Sequence, residues 1–165
     1  MRDLGMIRIV RAREQSLGEI NRLIARSKRY WNWPPAYLEA ALLLNVLTTD
    51  YLQTNHCWEV LATDGALIGF CSVVADNPRV ILDNLWVTPE LIGRGVGRRT
   101  CEHVFRFARE QGWTELWVVP DPPAEGFYRK VGFVDTGERV PSRVPDGPVF
   151  SVYRVQLQPW TSTNW

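Results

Sequence analysis

The 165-residue sequence is poor in the residues that build metal centres and disulfide frameworks. It has only two histidines, His56 and His103, and three cysteines, Cys57, Cys71 and Cys101, with no CxxC pair and no HExxH spacing. Those absences argue against a bound metal. The cysteines are odd in number and sit in apolar stretches, which predicts buried thiols. The formal net charge is +1, so no bulk charge favours a nucleic acid or a membrane surface. No stretch approaches the roughly 20 apolar residues of a membrane span. The start, MRDLGMIRIV, has no long apolar run, and the expectation is a cytoplasmic chain without membrane or nucleic-acid partners.

What is present is ordinary globular material, 45% hydrophobic and 22% charged, with an unusually high count of 8 tryptophans. The length suits a single domain over 1–165, its core about 7–157. IRIVRAR (7–13) alternates as a strand, and Leu17, Ile20, Leu23 and Ile24 have helical spacing. Pro35 or Ala36 suits the first turn of a second helix ending near Val46, and TTDYLQT adds a short helical turn. CWEVLAT and ALIGFCSVVA, joined at Asp64-Gly65, read as a hairpin, and a turn at NPR leads to a strand over Val80–Val87. An amphipathic helix through Val96, Cys101, Val104, Phe105 and Ala108 ends at Gly112. ELWVV reads as a central strand buried on both faces. A short helix near 124–131, the segment FVDTGE and the alternating strand PVFSVYRVQL follow, with PWTSTNW as a loosely held tail. An antiparallel meander before a βαβ-like unit predicts an α/β fold: a mixed central sheet of six to seven strands, with helices on both faces.

The segment LWVTPELIGRGVGRRT (85–100) poses the main chemical question. Cations at a helix N-terminus are unfavourable, yet Arg94, Arg98 and Arg99 crowd one. Unpaired amides converge there, and Gly93, Gly95 and Gly97 let an anion approach the main chain. A bound pyrophosphate would turn the arginines into charge-assisted donors. A dinucleotide fingerprint is disfavoured because Arg98 stands where the third glycine belongs, and no GK[ST] supports a P-loop.

LWVTPELIGRGVGRR followed by GFYRKVGF resembles the GNAT superfamily of acyl-CoA-dependent N-acetyltransferases. The family signature, Gln/Arg-x-x-Gly-x-Gly/Ala, aligns as Ile92-Gly93-Arg94-Gly95-Val96-Gly97, with Ile92 at the first position. The resemblance implies a sheet splayed between strands 4 and 5, with acyl-CoA in the V. It implies pantetheine pairing near Leu85, Trp86 and Val87, and a pyrophosphate over 92–99. The implied reaction moves an acetyl group from acetyl-CoA to a primary amine of a small molecule or peptide, by direct attack in a ternary complex. The alternative is a catalytically weak acyl-CoA-binding or regulatory module, which the departures at Ile92 and Pro123 would allow. A homodimer is consistent with the resemblance.

Chemistry narrows the candidates. Tyr128 stands where the family carries the acid that protonates the departing thiolate, and it counts among the cofactor-binding positions. Pro123 replaces an Asn that the family often has before this Tyr; Asp121 is its candidate substitute at the pantetheine. Asp83 is the candidate base, with Asn84 expected on the opposite face because strand side chains alternate. Glu125 reads as a solvated helix residue, His103 as solvent-facing and His56 as a strand-edge residue. Phe127 and Phe133 read as core. For the acceptor, Tyr30, Trp31 and Trp33 could form an aromatic wall, and Ser142 and Arg143 could overhang the pocket.

Overall fold

A computed structural model describes residues 4–76 and 78–159; Asn77 and most of the PWTSTNW tail lie outside the described residues. The strands are β1 (Arg8–Arg11), β2 (His56–Leu61), β3 (Leu67–Ala75), β4 (Val80–Val87), β5 (Glu115–Val118), β6 (Val134–Pro141) and β7 (Val149–Gln156). The helices are α1 (Leu17–Arg29), α2 (Pro35–Leu44), α3 (Thr49–Thr54), α4 (Val96–Glu110) and α5 (Glu125–Lys130). The strands form one seven-stranded sheet in the order β1-β2-β3-β4-β5-β7-β6.

The sheet is antiparallel except where β4 meets β5, a parallel pair in register only at Ile81 and Trp117. Beyond that point the strands diverge, and the β5-facing edge of β4 is left without a strand partner. The right-handed twist of each strand accumulates here with no further pairing to resist it. The resulting V positions everything that follows.

Helices cover both faces, as the alternation of strand side chains requires. Ile20 and Ile24 of α1 pack with Cys57 and Phe70 on one face. Cys101, Val104 and Ala108 of α4 pack with Cys71, Val73 and Leu82 on the other. The three cysteines are buried free thiols. Burial pushes the thiols of Cys57 and Cys101 up to about 12 and raises that of Cys71 well above its ordinary value.

Three readings of the periodicity are corrected. β5 is not buried on both faces: Leu116 and Val118 point into the core, whereas Trp117 lies half-buried under the Arg79 guanidinium, 3.9 Å from the ring centre. His103 is not solvent-facing but half-buried, its ring edge-on to Trp58 at 5.1 Å. Burial lowers its pKa, and Arg106 adds to the shift. β4 is also not a regular strand. Its register with β3 slips between Ser72 and Val73, which pair with Asn84 and Leu82, so Asp83 is an extra residue with no partner. Such a bulge breaks strict alternation.

Candidate active site

The turn between β4 and α4 has its shape because of two glycines. Gly93 and Gly95 adopt φ of +82° and +87°, a region that costs side-chain-bearing residues about 1–2 kcal/mol. No side chain caps α4, and its first helical bond runs from the Arg99 amide to the Gly95 carbonyl. The amides of Val96, Gly97 and Arg98 therefore have no intrahelical acceptor. Gly97 serves a different purpose: a Cβ there would sit 3.3 Å from the Phe127 ring, so its absence lets α5 pack close.

Of these three residues, Gly97 and Arg98 line a groove of about 340 Å³ that runs down the V between β4 and α5. Hydrogen-bond direction along β4 fixes what the groove can meet. The Thr88 amide donates to the Ile68 carbonyl at 2.9 Å, which makes Val87–Gly69 and Leu85–Cys71 non-hydrogen-bonded pairs. The main-chain groups of Leu85 and Val87 therefore face the groove, while those of Trp86 are engaged with Phe70. The Val87 carbonyl already accepts from the Ser27 hydroxyl at 3.0 Å. Among the described residues no strand pairs with Leu85 on that edge, so its N–H and C=O are left facing the groove.

A second cavity, of about 330 Å³, is lined by the middle of β4 and the end of β5 and reaches α2 and the β6–β7 connection. The two cavities share Leu85, Trp86, Ala124 and Tyr128. Tyr128 is 6% exposed, and its hydroxyl has no hydrogen-bond partner among the described residues. Burial pushes its phenol well above the ordinary value, with Cys101 and Asp121 adding to the rise. The phenol thus stays protonated through neutral pH, a buried donor at the junction of two cavities.

That junction, with its donor-lined V, is where relatives become informative. The Acetyltransferase (GNAT) family model matches residues 17–133. The chain belongs to the GNAT family. Streptothricin acetyltransferase of Streptomyces lavendulae is 37% identical over 88 residues, 50% of this chain and 47% of that protein. Peptidyl-lysine N-acetyltransferase YjaB of Salmonella typhimurium is 29% identical over 134 residues, 80% of this chain and 86% of the relative. The chain therefore spans about half the length of the first of these relatives. The PaiA N-acetyltransferase of Thermoplasma acidophilum, solved in complex with coenzyme A, superposes with a TM-score of 0.76. That structure is 16% identical and covers 92% of this chain and 99% of its own, a likeness of fold.

Within this GNAT fold, several expected side chains lie elsewhere than the sequence suggests. The Arg99 guanidinium donates to the Leu4 carbonyl at 2.7 Å and the Gly5 carbonyl at 3.2 Å, so it ties down the N-terminal segment. Arg94 is exposed and Val96 is core, leaving the latter only its amide to offer. Arg98 alone of the three arginines lines the groove, its side chain 76% exposed and 3.6 Å from Glu102. Ile92 lines the groove as well. Lys130 lies at the groove too and escaped the sequence reading, because a helix-end lysine looks merely solvated.

Asp121 lines the second cavity and is ion-paired. Lys28 Nζ donates to both of its carboxylate oxygens at 2.9 Å, with the lysine side chain 4% exposed and the aspartate 18%. Lys28 also lies 4.3 Å from the Trp33 ring centre. The expected aromatic wall is divided. Trp31 lines the groove rather than the second cavity, Trp33 packs on Lys28 and Tyr37, and Tyr30 is 53% exposed and edge-on to Trp31. Ser142 and Arg143 do line the second cavity. Glu125 is 3.8 Å from Arg129, Phe133 is core and Phe127 is half-buried in the groove wall.

Asp83 and Asn84 were expected on opposite faces; the bulge brings them together. The Tyr51 hydroxyl donates to Asp83 Oδ2, and Asn84 Nδ2 donates to the Tyr51 oxygen at 3.1 Å. Both residues line the second cavity. Asp83 has no ion pair among the described residues, whereas Asp121 is neutralised by Lys28. One uncompensated carboxylate therefore faces a cavity that opens onto the groove.

Proposed function

We propose that this domain transfers an acetyl group from acetyl-CoA to a primary amine, with both substrates bound at once. The carrying observation is the Tyr128 hydroxyl, buried without a hydrogen-bond partner among the described residues where the groove meets the second cavity, where burial favours its protonated form. The groove fits coenzyme A. The free amides of Val96, Gly97 and Arg98 suit a diphosphate, the Arg98 guanidinium suits its charge, and the Leu85 edge suits an extended amide-bearing arm. When bound, acetyl-CoA supplies an activated acyl group on sulfur.

The chain's own residues then divide the work. The Asp83 carboxylate takes the proton of the acceptor ammonium, so that the nitrogen presents a lone pair. The Leu85 N–H donates to the acyl oxygen as negative charge develops on it. Tyr128 gives its phenolic proton to the sulfur as the C–S bond breaks. Direct attack is favoured because the three thiols are buried and held protonated, leaving no cysteine to carry the acyl group. Unpaired thiols also suit a reducing, cytoplasmic setting.

The relatives are named for streptothricin and for peptidyl-lysine, which supports an acceptor amine on a small molecule or peptide. Ser142 and Arg143 at the cavity rim would meet the rest of that acceptor. The test is thiol release from acetyl-CoA over polyamines, amino acids, aminoglycosides and peptides. Release with at least one amine class, abolished by removing the amine, is expected. Coenzyme A binding without transfer to any of them would favour a regulatory acyl-CoA-binding module.

A further inference from the structure

We propose that Tyr51 is a positioning residue that aims Asp83 at the acceptor amine, through a chain of hydrogen bonds whose protons all run toward that carboxylate. The inference rests on the acetyl-transfer reading above and adds to it a residue from outside both cavities.

The direction of the chain follows from donor chemistry. An indole N–H can only donate, and Trp86 Nε1 donates to Asn84 Oδ1 at 2.8 Å. That bond fixes the amide orientation, so Asn84 Nδ2 must be the end that reaches the Ser72 hydroxyl at 2.9 Å and the Tyr51 hydroxyl at 3.1 Å. Both hydroxyl oxygens therefore accept from Asn84. Ser72, fully buried, has one proton left and gives it to Tyr51 at 2.8 Å. The Tyr51 oxygen has then accepted twice, and its own proton has one acceptor, Asp83 Oδ2. Asn84 Nδ2 also lies 3.3 Å from the same Asp83 Oδ2, so the tyrosine and the amide both end on a single carboxylate oxygen.

Three consequences follow for Asp83. Its Oδ2 is held as an acceptor. Its rotamer is fixed from behind, although the residue itself is exposed. Its Oδ1 receives no hydrogen bond from the described residues and remains for the ligand. An acceptor ammonium can give its proton to Oδ1: an O–H bond forms, an N–H bond breaks, and the electron pair stays on nitrogen for attack on the acyl carbon. Burial, reinforced by the neighbouring Asp83 carboxylate, pushes the Tyr51 phenol well above its ordinary range, so it remains a donor throughout. α3 exists to deliver this group: Thr48 caps it by accepting from the Tyr51 amide at 3.1 Å, and Leu52 anchors it in the core.

A double-mutant cycle tests the assignment, using acetyl-CoA with spermidine and with a blocked lysine tripeptide as acceptors. Wild type, Tyr51→Phe, Asp83→Asn and the double variant are compared, with coenzyme A calorimetry and thermal midpoints checking the fold. Tyr51→Phe is expected to lower kcat by about ten- to a hundredfold with KM for acetyl-CoA unchanged, the effect of losing a hydrogen bond to a charged group. In the Asp83→Asn background the same substitution should change kcat by less than about twofold. An equal loss in both backgrounds, or no loss from Tyr51→Phe alone, would overturn the role of Tyr51 and leave acetyl transfer standing. Full activity of Asp83→Asn would overturn the roles of both residues. Should neither acceptor release thiol, the cycle is run with the amine that does in the panel above, and wild type releasing no thiol across that whole panel would overturn the acetyl-transfer reading and the Tyr51 role with it.

Discussion

The groove and the second cavity share a wall, but they are built from different materials. The groove offers mainly main-chain groups: the amides of Val96, Gly97 and Arg98 and the open edge at Leu85. The second cavity offers side chains held by distant parts of the chain, with Lys28 meeting Asp121 across 93 positions and Asp83 held from behind by Tyr51 across 32. A main-chain site needs only a backbone path, which a short stretch of glycines and one strand can dictate. A side-chain site needs the whole fold before its residues meet. Substitutions should therefore be tolerated in the groove unless they disturb the path or the charge, and should be felt sharply in the cavity.

The most severe break should come at the junction. Tyr128→Phe is expected to lower kcat by at least about a hundredfold while coenzyme A affinity, read by calorimetry, holds within about twofold. The pH profile sharpens the point. Only the protonated phenol can donate, and burial raises its pKa, so its loss with rising pH should begin above the ordinary phenol value of about 10. Wild-type kcat should therefore show no alkaline fall from Tyr128 between pH 7 and about 9.

Next in size is the cavity's ion pair. Lys28→Met leaves the Asp121 carboxylate without its cation in a mostly buried place, and should destabilise the fold by about 2 kcal/mol, less than a fully buried pair because Asp121 keeps some solvent access. Thermal unfolding should register this as a fall of roughly 4–8 °C, with Lys28→Met/Asp121→Asn recovering most of it. Arg98→Glu reverses the one groove-lining arginine and should weaken coenzyme A by about tenfold, an effect that shrinks as salt is raised. The smallest change is expected at Ile92. Restoring the family's residue with Ile92→Gln should move coenzyme A affinity by less than about threefold, because the neighbouring contacts come from the backbone. A tenfold gain would mean that this side chain matters more than the main-chain account allows.

The same contrast explains what could be read in advance. β4, the glycine turn and α4 are contiguous, so their order was legible in the sequence, while the splay between β4 and β5 was implied by the resemblance to the family. The bulge at Asp83 was hidden because an inserted residue leaves no mark on an alternating pattern, and it reversed the expected relation of Asp83 to Asn84. Lys28 was overlooked because a lysine at a helix end reads as solvent-facing; the Asp121 carboxylate and the Trp33 ring explain its burial. Trp31 and Trp33 lie two positions apart on a connection without regular periodicity, so their different destinations were not legible. Trp117 misled for a related reason: two arginines, Arg79 and Arg154, cover its face where a helix was expected.

The central claim is that the amides heading α4 and the open edge of β4 hold coenzyme A. Calorimetric titration of wild-type protein with free coenzyme A tests it most directly. The account predicts saturable binding, one ligand per chain, at micromolar concentration, about −8 kcal/mol. A titration that fails to saturate by millimolar coenzyme A would contradict it.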